Sequence, residues 1–212
     1  MTAKKMVRNI EPDDPMLQSR GRIDDDDPKA PVLIYAASWV KMIFTGTSVA
    51  VTLANHHAYW TNEMGYLLDG VQGRIRLLND GKKKTYEIAE QLPDARHELM
   101  LFKRMDACHT VTFYGFTVDD GADLLPPEPK PARRMEVFGD SVSCGEVSEA
   151  VDYVGKEDPV HDGQYSNSWY SYAWMTARKL GAELHDTSQG GIALLDGTGW
   201  FGAPAYYGVA HS

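Results

Sequence analysis

The sequence predicts a two-sheet β-sandwich followed by the opening of a parallel α/β domain. Three observations predict it. Seven short runs rich in β-branched and aromatic residues lie between residues 31 and 119, a proline-rich stretch follows them, and a strand-loop-helix-strand pattern comes after that.

The seven runs are 39–44, 48–53, 64–68, 74–78, 85–90, 98–103 and 110–118, with turn signals such as Thr45-Gly46-Thr47, Asp69-Gly70 and Asn79-Asp80-Gly81 between them. No helical pattern of useful length interrupts the series, so a jelly-roll or related sandwich is the natural way to bury it. Pro126, Pro127, Pro129 and Pro131 cannot donate ladder hydrogen bonds and hold the chain extended. They divide the chain into a sandwich over 1–125, a linker over 126–132 and a second domain over 133–212.

Behind the linker, the apolar run 135–138 and a glycine-rich turn precede residues 168–180, where Trp169, Tyr172, Ala173, Thr176 and Leu180 share one helical face. Asn167 or Ser168 is placed to cap that helix, Gly181 to end it, and a second strand is expected over 182–186. A strand, helix and strand in this order make a βαβ unit, the start of a parallel sheet.

Composition narrows the function. The 212 residues carry a net charge of −9, which disfavours nucleic acid or an anionic membrane surface as a partner and suits a neutral or weakly charged ligand. The acidic run 24–27 before Pro28 reads as a solvated turn. Two cysteines, Cys108 and Cys144, are too few for a disulfide framework or a zinc cluster; both are expected to be reduced, with Cys144 a small packing residue. Residues 1–12 hold Lys4, Lys5 and Arg8 but no apolar run of signal-peptide length, and no stretch of about 18 apolar residues occurs. The chain as it stands is expected in the cytoplasm, and outside the cell if an export signal precedes it.

The chemistry points to Gly139-Asp140-Ser141. A serine hydroxyl attacks well only when a base removes its proton and preformed N–H groups receive the developing oxyanion. A sharp strand-to-helix turn at the carboxyl end of a strand offers that setting, and residues 135–145 have its layout. Gly139 allows the tight turn, Asp140 can bond local N–H groups, and Gly145 keeps bulk out of the following loop. The bare triplet would arise by accident in roughly one chain in twenty of this length, and its bland reading is a plain turn.

The stretch 139–146, Gly-Asp-Ser-Val-Ser-Cys-Gly-Glu, resembles the first block of the GDSL or SGNH hydrolases. The sandwich resembles the N-terminal domain of carbohydrate esterase family 2, the acetylxylan esterases. That likeness rests on the stretch 97–104 (His-Glu-Leu-Met-Leu-Phe-Lys-Arg), Phe113-Tyr114-Gly115-Phe116, Gly21-Arg22 and Leu68-Asp69-Gly70. The resemblance implies that the second domain is the first part of a three-layer α/β/α SGNH hydrolase domain. It implies Ser141 as nucleophile, its own N–H as one oxyanion donor, and Gly191, with Gly190 second, as the other. It also implies a serine esterase that removes acyl groups from carbohydrate through an acyl-enzyme, with no metal or organic cofactor. The bland reading of Gly190-Gly191 is a flexible loop.

Two family blocks have no match after the second predicted strand: the one supplying a side-chain amide to the oxyanion hole, and the late Asp-x-x-His block supplying the base. The hydrolase domain is therefore expected to be incomplete, and association with a further part of the polypeptide or with a second copy of the chain is expected. His185 and His211 do not follow an aspartate at the required spacing, and His161, which follows Asp158 at that spacing, lies in the polar loop 157–164 ahead of the predicted helix and not late in the domain where the family has its base. Trp200 and Tyr206 are candidate sugar platforms, near Phe201 and Tyr207, although core aromatics would look the same. His56-His57 with Tyr59 and Trp60 reads as a loop, because neighbouring residues on a strand point to opposite faces. The alternative function is a carbohydrate-binding fragment without turnover.

Overall fold

Antiparallel pairing in the first part of the chain produces two sheets of six strands each. The computed structural model describes residues 7–160, 162–193 and 199. The first sheet runs β3 (Ile23–Asp24), β4 (Val32–Leu33), β11 (Thr110–Asp119), β6 (Val49–His56) and β9 (Lys84–Ala89), with β1 (Val7–Ile10) also pairing β11. The second runs β12 (Leu124–Leu125), β5 (Trp39–Gly46), β10 (Ala95–Lys103), β7 (Glu63–Leu68) and β8 (Val71–Arg76), with β2 (Gln18–Arg20) also pairing β5. The expected sandwich is present, and all seven expected runs are strands within it.

Alternation along the strands explains the packing. On β10, Leu99 and Leu101 point into the core between the sheets, where they join Val40, Met42 and Phe44 of β5 and Val51 and Leu53 of β6. The residues between them, Met100 and Phe102, point the other way and enter a second apolar cluster. β10 is therefore apolar on both faces because both faces are covered.

Two of the stretches that carry the family resemblance, 68–70 and 97–104, meet at one hairpin. Asp69 and Gly70 both have positive φ, 52° and 80°, as a two-residue turn between β7 and β8 requires. Asp69 accepts the N–H of Glu98 at 2.8 Å and faces Nδ1 of the buried His97 at 2.6 Å, while His97 Nε2 lies 2.8 Å from the Pro93 carbonyl. Two oxygen acceptors on the two ring nitrogens are satisfied together only by the imidazolium. Burial presses the His97 pKa down, but the Asp69 hydrogen bond and the Pro93 carbonyl outweigh it and raise the pKa above 6.5. Asp69 is held below its ordinary 3.8 by the Glu98 N–H and His97, against the effect of burial.

The sign follows from these directions. The raised His97 pKa stabilises the fold fully below 6.5, and that stabilisation is lost as pH rises through the higher folded value. The lowered Asp69 pKa stabilises above 3.8 and is lost as pH falls through the folded value. His97→Gln is therefore expected to lower the melting temperature more at about pH 5.5 than at about pH 9. Thermal unfolding of both forms across that range checks it, and a difference independent of pH would refute the imidazolium.

The α/β part is a parallel pair, β13 (Arg133–Gly139) and β14 (Ala182–Ser188), paired from Arg133↔Ala182 to Gly139↔Ser188. Between them come α1 (Ser141–Cys144), two single 3-10 turns at Val151–Tyr153 and Ser168–Tyr170, and α2 (Tyr172–Leu180). The expected helix over 168–180 is corrected here. Asn167 caps only the 3-10 turn, through Trp169 N–H; Ser171 takes extended geometry and caps α2 through Trp174 N–H. The later start rotates the helix. Its buried face is Ala173, Trp174 and Ala177, while Tyr172, Thr176 and Leu180 are exposed. Gly181, with φ of 59°, ends α2 as expected.

The second apolar cluster joins the two parts. Ala37, Met100 and Phe102 of the sandwich pack with Ala173, Trp174, Ala177 and Leu184, and the Phe102 and Trp174 rings meet edge to face at 5.2 Å. Arg20 pairs with Glu183 at 3.0 Å, and Arg22, from the Gly21-Arg22 stretch, with Glu136 at 2.8 Å. Arg104 is fully buried and reaches Glu149 at 2.7 Å.

Candidate active site

Ser141 stands where β13 ends and α1 begins. Asp140 caps the helix by accepting the Val142 N–H at 3.0 Å, and Gly145 ends it with φ of 78°. Gly139 needs to be glycine for reasons of space. A Cβ there would lie 1.8 Å from Ser143 Oγ and 2.3 Å from Ser143 Cβ, so α1 seats directly against the strand end. Gly145 is equally confined, since an added Cβ would lie 2.5 Å from the Asn167 carbonyl oxygen. Ser143 Oγ shares a hydrogen bond of 2.7 Å with the Tyr172 hydroxyl, which ties α1 to α2.

The loop after β14 closes the other side. Gln189 N–H donates to the Gly139 carbonyl at 3.2 Å, so the two strand ends are tied together beyond the ladder. A Cβ on Gly190 would lie 3.8 Å from Ser141 Cβ, 3.1 Å from Glu146 Oε2 and 2.8 Å from Asp106 Oδ2. Of the two candidate oxyanion glycines, Gly190 already gives its N–H to Asp106 Oδ2 at 2.8 Å. Gly191 has φ of 76°. Neither its N–H nor that of Ser141 is taken by a side chain or loop carbonyl among the described residues.

Electrostatically the site is acidic and partly dry. Burial raises the Glu146 pKa, and the nearby Asp106 and Asp140 charges add to this. Burial raises the Cys144 thiol well above its ordinary value, which leaves it a packing residue on the buried side of α1. Cys108 and Cys144 are both free thiols. Asp186, buried near Cys144, is pushed up to about 7 by burial against the opposing hydrogen bond from Ser188.

The remaining candidates fall elsewhere. Trp200, Tyr206, His161 and His211 lie outside the described residues. His185 sits within β14 beside Glu183, 3.6 Å from its carboxylate. His56 ends β6 and bonds Thr112 at 3.1 Å, so the adjacent histidines form no chelating pair. A cavity of about 290 Å³ lined by Trp39, Met100, Trp169, Trp174 and Arg178 opens at the start of β14, the end opposite Ser141. Asp106 was not anticipated from the sequence, and Lys103 and Glu146 were noted only as members of the stretches 97–104 and 139–146. Two charges, Lys103 and Arg104, directly after the apolar run Leu99-Met100-Leu101-Phe102 were the available signal.

Comparison with known proteins gives the family. Residues 19–128 match the family model described as carbohydrate esterase 2, N-terminal. The chain belongs to carbohydrate esterase family 2. Within that family it is 31% identical over 193 residues to the cellulase/esterase CelE of Acetivibrio thermocellus, a match covering 91% of this chain and 22% of that protein. It is 27% identical over 191 residues to the acetylxylan esterase / glucomannan deacetylase of Cellvibrio japonicus, covering 89% of this chain and 51% of the relative. A solved family 2 esterase from Clostridium thermocellum, in complex with cellohexaose, superposes with a TM-score of 0.76 at 29% identity, over 89% of this chain and 55% of that one. The chain thus spans about half the length of the Cellvibrio relative and of the solved esterase.

Proposed function

We propose that this chain carries the nucleophile half of a serine esterase that removes acyl groups, acetyl foremost, from carbohydrate hydroxyls. The observation that carries the reading is the seating of Ser141 at the carboxyl end of β13, with the loop of Gly190 and Gly191 packed against it from the adjacent strand. Ser141 Oγ attacks the ester carbonyl, the N–H groups of Ser141 and Gly191 receive the oxyanion, and the sugar hydroxyl leaves as the acyl-serine forms. Water then releases the acid. The names of the relatives, an acetylxylan esterase / glucomannan deacetylase among them, support the substrate class.

Trapping the acyl-enzyme tests this. The full product of the gene, mixed briefly with p-nitrophenyl acetate or acetylated xylo-oligosaccharide and quenched in acid, is expected to carry an acetyl adduct on the peptide containing Ser141. Acetate release no faster than the uncatalysed rate, with no adduct on that peptide, would refute the reading.

A second reading, carbohydrate binding without turnover, is supported by the cellohexaose complex of the solved family 2 esterase that this chain resembles. Calorimetric binding of cellohexaose by a chain that releases no acetate would establish it.

A further inference from the structure

We infer that Asp106, a residue of the β-sandwich, is a positioning residue that holds the oxyanion loop against Ser141. The inference rests on the esterase reading and extends it to the part of the chain that carries no nucleophile.

Asp106 sits in the turn between β10 and β11, buried at 7% exposure. Its two carboxylate oxygens each accept one backbone N–H. Oδ1 takes that of Cys108 at 3.1 Å, two residues on, and Oδ2 takes that of Gly190 at 2.8 Å, 84 residues away. The first bond shapes its own turn; the second crosses into the α/β part. A carboxylate is acceptor-only and fits two converging donors, whereas an amide would turn its NH₂ toward one of them.

The turn is itself fixed from beneath. Lys103 is fully buried, and its ammonium donates to the Met105 carbonyl at 2.7 Å and also to the Asp106 carbonyl. Ser168 Oγ donates to the Lys103 carbonyl at 2.7 Å, and Ser168 N–H to the Arg104 carbonyl at 3.0 Å. The corner that carries Asp106 is thus clamped both to the sandwich and to the segment leading into α2.

Because Gly190 spends its N–H on Asp106, the adjoining peptide is oriented, and the Gly191 N–H is left for the oxyanion. A Cβ on Gly190 would fall between Asp106, Glu146 and Ser141, so the loop has no slack in which to shift. Oxyanion donors act by being fixed before the charge develops, and a displacement of about 1 Å is enough to cost on the order of 100-fold in rate. Substrate binding makes no direct use of Asp106. The loss is therefore expected in kcat and not in KM.

Asp106→Asn and Asp106→Ala, made in the full gene product beside Ser141→Ala, test the inference. The Asn form keeps the size of the side chain should the Ala form fail to fold. Expected are a fall in kcat of roughly 10- to 100-fold, a KM within about threefold of the parent, and amide hydrogen exchange at Gly190 accelerated about tenfold or more. A Gly190 amide as protected as in the parent, or a kcat within about twofold, would overturn it. Failure of the esterase reading looks different: the parent and Ser141→Ala would release acetate equally slowly, while exchange at Gly190 would still report whether Asp106 holds the loop.

Discussion

Replacing Ser141 by alanine is expected to lower deacetylation by about four to six orders of magnitude while leaving the melting temperature within about 2 °C of the parent. The two halves of this expectation have separate causes. On the proposed mechanism the rate falls because no acyl-enzyme can form, and only the weaker contributions of binding and the proposed oxyanion donors persist. Stability holds because the Ser141 side chain is half-exposed and its hydroxyl bonds no described residue. The bonds that seat α1 belong to its neighbours, the Asp140 cap and the Ser143 pair with Tyr172. Parallel initial-rate and thermal-melt measurements check both halves. An active Ser141→Ala protein would remove Ser141 from the reaction, and a large drop in melting temperature would mean that its hydroxyl supports the fold.

Replacing Lys103 by methionine is expected to have the largest effect on stability, about 3–5 kcal/mol, or about 6–20 °C in melting temperature for a chain of this size. Burial presses the Lys103 ammonium down to about 8, and the Asp106 charge opposes that shift. Methionine matches the stem but leaves the Met105 carbonyl without its donor, the Asp106 carbonyl with only the long bond from His109 N–H at 3.5 Å, and the Asp106 carboxylate without the Lys103 charge that attracts it. Melts of the two forms at neutral pH would show it. A shift below about 2 °C would mean that the corner is held by its other bonds.

The sandwich was legible because its long strands announce themselves. Residues 39–44 and 98–103 alternate or run apolar over six residues, enough to separate them from their turns. The strands β1 to β4 and β12 have two to four residues each, too few to show a period, so the sequence reading passed over them. It therefore missed that Leu124 and Leu125, at the mouth of the proline-rich stretch, form an edge strand on β5. The helix failed differently. Trp169 belongs to the second apolar cluster and fits the expected apolar stripe, but the extended Ser171 restarts the helix and changes its phase.

The site divides along the same line. The corner at Ser141 is local in sequence, and the cap, strand end and glycines that build it lie within seven residues, 139–145. Asp106 meets Gly190 only after the chain has folded back over 84 residues, and its own neighbourhood marks it only indirectly. What the sequence does show there, charged Lys103 and Arg104 directly after an apolar run, reads as a strand ending in solvent. The opposite is true: both side chains are among the most deeply buried in the molecule.

The cluster of Phe102, Trp174 and Leu184 has a practical meaning for protein engineering. An esterase whose sandwich were a detachable accessory could exchange it for another binding domain by recombination at the prolines. In this chain such a cut would strip Phe102 and Met100 of their cover and release Gly190 from Asp106 in the same stroke. Chimeras should therefore keep the sandwich and the Ser141 segment as one cassette and place the crossover elsewhere.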